Sequence, residues 1–159
     1  MTITTSPALQ KVNTNAMTSL PSIDIIYVDD SIIVLNKPAW LLSVPGRGPD
    51  KQDCLAKRVE AHYPRAQVVH RLDCATSGVI VMGLTRSAHR ELSRQFHDRE
   101  VSKTYTAIGY GKPDQNSGTI ELPLIGDWPN RPKQKVDFET GKKATTYWSA
   151  YHDFFAVST

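Results

Sequence analysis

The chain has 159 residues, 40% of them apolar and 22% charged, with a net charge of +3. This is the composition of one ordinary globular domain, long enough to bury a core. It holds no run approaching the ~20 apolar residues that span a bilayer, and two cysteines, Cys54 and Cys74, are too few for a disulfide framework or a cysteine metal site. The mild basicity permits an anionic partner without requiring one. The two thiols suit a reducing, cytoplasmic setting.

In chain order, residues 1–20 are rich in Thr, Ser and Asn, lack an apolar block, and read as a disordered leader rather than a secretory signal. Residues 21–159 read as the folded part. IDIIYV (23–28) and SIIVLNK (31–37) are strands joined through Asp29-Asp30-Ser31, so a hairpin is expected. Pro38 ends the second strand because it has no N–H to donate. Residues 45–49 are a Pro/Gly loop. Asp53 is placed to cap a short helix running from Cys54 to about His62. Gln67 to His70 is a short strand, and Val79 to Leu84 is an apolar run of strand length.

Ser87 is placed to cap a helix ending near Arg99, with Ala88, Leu92 and Phe96 on its apolar face. Strands are expected over 101–110, 118–122, 135–138 and 144–157, with a Pro-rich loop over 127–132. Strands with two interspersed helices make a mixed α+β fold, mainly antiparallel.

Between two of these strands lies Val68-Val69-His70-Arg71-Leu72-Asp73-Cys74-Ala75-Thr76-Ser77-Gly78. It sets one carboxylate among turn formers on a loop held by rigid strands, where catalytic residues often sit. The residues alone favour a plainer reading, in which Asp73 caps a turn and Arg71 pairs with a surface acid. Four ordered segments then resemble the RluA family of RNA pseudouridine synthases. HRLDCATSG (70–78) is similar to the family's HRLD signature, Asn36-Lys37-Pro38 with Leu41-Leu42 to its NKP turn, and Lys103-Thr104-Tyr105-Thr106-Ala107 to its K-x-Y-x-A strand. The run from Leu122-Pro123-Leu124-Ile125 through Asp127-Trp128-Pro129-Asn130-Arg131 to Val136 resembles a branch acting on both ribosomal and transfer RNA.

The resemblance implies the pseudouridine synthase catalytic fold and isomerisation of a uridine flipped out of structured RNA, an rRNA or tRNA stem-loop. It implies no cofactor, no metal, no membrane and no obligate protein partner. Asp73 is the implied catalytic aspartate. Tyr105 is the implied active-site tyrosine, although the residues alone favour a core strand residue. Arg71 is implied to fill the gap left by the flipped base. His70, Thr76, Arg131 and Lys133 are implied to bind or orient substrate RNA, His70 by packing or hydrogen bonding.

The loop of Trp128 to Lys135 mixes an aromatic with charges, which suits an RNA backbone and unstacked bases. Further basic residues, Arg47, Arg86, Arg90, Lys135, Lys142 and Lys143, are either RNA contacts or solvated surface. Two departures stand out. Trp40 occupies a position that is usually small in the family, and the chain ends at Thr159 before the family's later arginine-bearing G-R-[ST]-H-Q segment. The expectation is therefore an N-terminal part of the catalytic domain, weakly active or inactive by itself. The alternatives are a non-catalytic RNA-binding fragment and, far behind, a hydrolase, which would want a second facing carboxylate.

Overall fold

The computed structural model describes residues 22–109, 111, 113–131, 133–151 and 154–158. The leader expected over 1–20 lies outside them. The chain forms two compact units, Met1–Arg94 and Gln95–Thr159, each built on its own antiparallel sheet, as the α+β expectation required.

In the first unit, β1 (Ile25–Val28) and β2 (Ile32–Lys37) form the expected hairpin. β3 (Gln67–Val68) and β4 (Gly78–Gly83) complete a sheet of order β1-β2-β4-β3. The two-residue period of β2 turns Ile33, Leu35 and Lys37 inward, and all three are buried. Ile80 and Met82 of β4 point the same way. α1 (Leu55–Glu60) lays Leu55 and Val59, one turn apart, over that face, and Leu41 closes the cluster. Each such apolar side chain contributes roughly 1.5–3 kcal/mol by leaving water.

Two caps differ from the sequence expectation. α1 is capped by Cys54 without a side-chain hydrogen bond. Asp53 instead receives two bonds from the Arg58 guanidinium, at 2.8 and 2.6 Å; a forked cation one turn away competes well for a carboxylate. α2 (Arg86–His97) starts two residues earlier than expected, and its first turn is capped by Thr85, whose Oγ1 accepts the Ala88 N–H at 3.1 Å.

The β1–β2 turn is set by one carboxylate. Asp29 Oδ1 accepts the N–H groups of Ser31 (2.7 Å) and Ile32 (2.8 Å), and Oδ2 accepts the Tyr27 hydroxyl at 2.8 Å. The Ile32 N–H, then the Ser31 N–H, hold the Asp29 carboxyl below the ordinary aspartate range. A carboxyl depressed in the fold stabilises it above the unfolded-state pKa, and that contribution is lost as pH falls through the folded value. Thermal melts should therefore fall less steeply below about pH 4 in Asp29→Ala than in the unsubstituted chain. Parallel acid profiles would refute this.

The second unit holds β5 (Thr104–Ala107), β6 (Ser117–Gly126), β7 (Gln134–Val136), β8 (Lys142–Tyr151) and β9 (Phe154–Ser158), in the order β5-β9-β8-β6-β7. The single strand expected over 144–157 is two, β8 and β9, paired antiparallel with Tyr151 opposite Phe154. β6 extends past the expected 118–122 at both ends because β8 pairs with it from Ser117 to Leu124.

Candidate active site

The β3–β4 connection carries Asp73, and its backbone is held from below at two points. Leu72 is buried, and Ser43, also buried, brackets its peptide: Ser43 Oγ donates to the Leu72 carbonyl at 2.6 Å and accepts the Leu72 N–H at 3.1 Å. One residue past Asp73, the Cys74 carbonyl accepts the Trp40 N–H at 2.7 Å and the Lys37 ammonium at 3.2 Å. The Thr76 N–H reaches back to the Asp73 carbonyl at 3.1 Å, closing a turn. The Asp73 side chain is left exposed above this frame.

Lys37 is the residue that sequence reasoning passed over as a site member. Its side chain is 0% exposed, and its three N–H donors meet the carbonyls of Pro38 (2.9 Å), Leu41 (2.7 Å) and Cys74 (3.2 Å). An ammonium has three donors and all are used. Burial pulls the Lys37 ammonium below the ordinary lysine range, while the adjacent Cys74 thiol and Asp73 carboxylate act in the opposite direction. The register that sets Lys37 opposite Gly78 brings the end of β2 to the end of the Asp73 loop. The signal was present in the alternation of β2, which places Lys37 on the same face as Ile33 and Leu35.

Gly78 leaves the loop at φ 126°, a region essentially restricted to glycine. A Cβ there would meet no atom within 4 Å, so the obstacle is the backbone alone. Gly78→Ala should cost about 1–3 kcal/mol of stability. An unchanged urea midpoint would refute this.

The other expected residues fall as follows. His70 is half-buried, and its Nε2 accepts the Val81 N–H at 3.1 Å, which fixes that nitrogen as unprotonated and ties the loop to β4. Arg71 is exposed, and no carboxylate among the described residues pairs with it. Thr76 is half-buried in the same loop. The structure thus gathers His70, Arg71, Asp73 and Thr76 on one connection of the first unit. Tyr105, Arg131 and Lys133 belong to the second unit: Tyr105 is half-buried on β5, while Arg131 and Lys133 are exposed between β6 and β7. Trp40 is 82% exposed, at φ 66°, so the chain takes a left-handed turn where a small residue is usual. Among the described residues, no three His, Cys, Asp or Glu side chains gather as metal ligands.

Comparison with known proteins places the chain in a family. The family model described as RNA pseudouridylate synthase matches residues 31–157. The dual-specificity RNA pseudouridine synthase RluA of Yersinia pestis is 58% identical over 122 residues, 77% of this chain and 59% of that protein. The Escherichia coli K12 protein of the same name is 56% identical over 126 residues, 79% of this chain and 58% of its own length. The chain therefore spans somewhat under 60% of the curated relatives it matches. Two solved structures share the fold at 21% identity. Human RNA pseudouridylate synthase domain containing 1 has a TM-score of 0.67, covering 91% of this chain and 60% of that one. Human RNA pseudouridylate synthase domain containing 4 has a TM-score of 0.64, covering 85% and 57%. With most of its length matched by the family model and its sequence more than half identical to those bacterial enzymes, this chain belongs to the RNA pseudouridylate synthase family, on its RluA-type branch.

Proposed function

We propose that this chain carries the catalytic aspartate of an RNA uridine isomerase, and that Asp73 is that residue. The observation that supports the reading best is an exposed carboxylate on a loop whose flanking peptides are fixed by two buried polar side chains, Ser43 and Lys37. Uridine and pseudouridine have the same atoms. The bond from the ribose to N1 breaks, a bond from the same ribose carbon to C5 forms, and a proton leaves C5 while N1 gains one. No oxidant or reductant enters. What the reaction needs is an ionised carboxylate held rigidly against the sugar and base, and a place to keep the uracil while it turns.

A uridine inside a helix is out of reach, so the target leaves its stack. Arg71, exposed two residues from Asp73 and paired with no acid among the described residues, is suited to fill the vacated space with its planar guanidinium. His70 and Thr76 act within the loop, His70 by orienting it through Val81. Tyr105 takes the proton-transfer or stacking role. The substrates are structured stem-loops of ribosomal and transfer RNA in the cytoplasm, held through phosphates by exposed cations including Arg131 and Lys133.

A second reading, an RNA-binding portion without turnover of its own, is favoured by the chain's covering less than 60% of its relatives' length. Chemical mapping of pseudouridine in a stem-loop RNA, treated with this chain and with Asp73→Asn, decides between them. Conversion that disappears with Asp73→Asn supports the isomerase. RNA binding without conversion in either protein supports the second reading. Conversion surviving the substitution sinks the role of Asp73.

A further inference from the structure

The connection between β6 and β7 is a rigid tip that presents an aromatic ring to solvent. Trp128-Pro129-Asn130 form one 3-10 turn. Three backbone bonds close the loop: Asp127 N–H to the Lys133 carbonyl (2.8 Å), Asn130 N–H to the Asp127 carbonyl (3.0 Å) and Lys133 N–H to the Asn130 carbonyl (3.1 Å). The Asn130 amide also donates to Asp127 Oδ2 at 2.8 Å, and Pro129 restricts φ within the turn. On this tip the Trp128 indole is 70% exposed. The Arg131 guanidinium lies over the Trp128 ring, and Lys133 is exposed three positions after Asn130.

The exposed indole, with a guanidinium on one face and its turn closed by hydrogen bonds, carries its other face to solvent. The cation–π contact orients the ring, and its other face is the large apolar surface that remains. Exposed cations flank it, which disfavours a purely apolar partner and favours an anionic one with flat π-faces. An unpaired nucleotide has both features, whereas a duplex keeps its base faces inside its own stack and offers only phosphates.

We propose that Trp128 and Arg131 form a stacking platform for one unpaired nucleobase, with Lys133 neutralising an adjacent phosphate. The platform selects stem-loops over continuous duplex. It rests on the RNA reading above and adds a residue-level basis for substrate choice outside the Asp73 loop.

The test compares the unsubstituted chain with Trp128→Ala, Trp128→Phe, Arg131→Ala and Lys133→Ala on two RNAs of equal length, a stem-loop and a blunt duplex, across a salt series. Trp128→Ala should weaken stem-loop binding about tenfold or more and leave duplex binding and the salt slope unchanged. Trp128→Phe, which keeps a ring, should recover most of the loss. Arg131→Ala should also weaken stem-loop binding, and Lys133→Ala should reduce the salt slope by about one. Equal losses on both RNAs, or none with Trp128→Ala, overturn the platform while leaving the RNA reading standing. An unsubstituted chain that binds neither RNA overturns both.

Discussion

On the isomerase reading, Asp73→Asn should lower pseudouridine formation at least about 10⁴-fold while changing RNA affinity no more than about threefold. The amide is nearly isosteric, so the turn closed by the Thr76 N–H on the Asp73 carbonyl survives: that bond uses backbone atoms only. The supports beneath the loop, Ser43 on Leu72 and Lys37 on Cys74, also touch only backbone. The substitution therefore removes a charge and a nucleophile without removing a structural contact. A neutral amide can neither add to an electrophilic carbon nor stabilise positive charge developing on the ribose. The split between the two readouts is the informative part. Parallel loss of binding and turnover would mean that Asp73 holds RNA rather than transforming it. Unaltered turnover would move the chemistry to another residue altogether.

The parts of the fold legible in the sequence are those encoded locally. The β1–β2 hairpin follows from two alternating runs and an Asp-Asp-Ser turn, and the structure adds only that Asp29, rather than Asp30, makes the turn's hydrogen bonds. α2 follows from Ala88, Leu92 and Phe96 at four-residue spacing. What was not legible depends on distant partners. β8 ends at Tyr151 and β9 begins at Phe154, in a strand-like run that holds neither Gly nor Pro from 144 to 157. The division into two units falls at Arg94 and Gln95, within the amphipathic α2 itself, so no linker composition marks it.

The site shows the same contrast. His70, Arg71, Asp73 and Thr76 are neighbours in sequence, and one loop brings them together. Lys37 reaches that loop across 37 positions, through the antiparallel pairing of β2 with β4. A lysine ahead of a proline reads as a strand end until its burial is seen.

That burial makes Lys37→Met the second substitution with a large expected effect, this one on stability first and catalysis second. Methionine fills a similar volume but donates nothing. The carbonyls of Pro38 and Leu41 would lose the ammonium, and the Cys74 carbonyl would keep only the Trp40 N–H. The buried Leu41 acceptor left without a donor costs about 1–3 kcal/mol, and the part-buried Pro38 and Cys74 carbonyls add less. Removing a desolvated cation returns part of this, because an ammonium in the interior is itself expensive. A net loss of about 1–3 kcal/mol remains, a large share of the ~5–15 kcal/mol that holds a domain of this kind together. The same three bonds join the 38–41 turn to the peptide beside Asp73, so their loss also frees the carboxylate to shift. A displacement near 1 Å is worth about 100-fold in rate. At a temperature where the variant is still folded, kcat should drop while the KM for RNA stays near its original value, as expected of a positioning residue. Urea denaturation measures the first effect and single-turnover kinetics the second. A Lys37→Met protein as stable and as fast as the parent would show that the three carbonyls find other donors and that the Asp73 loop holds its shape unaided.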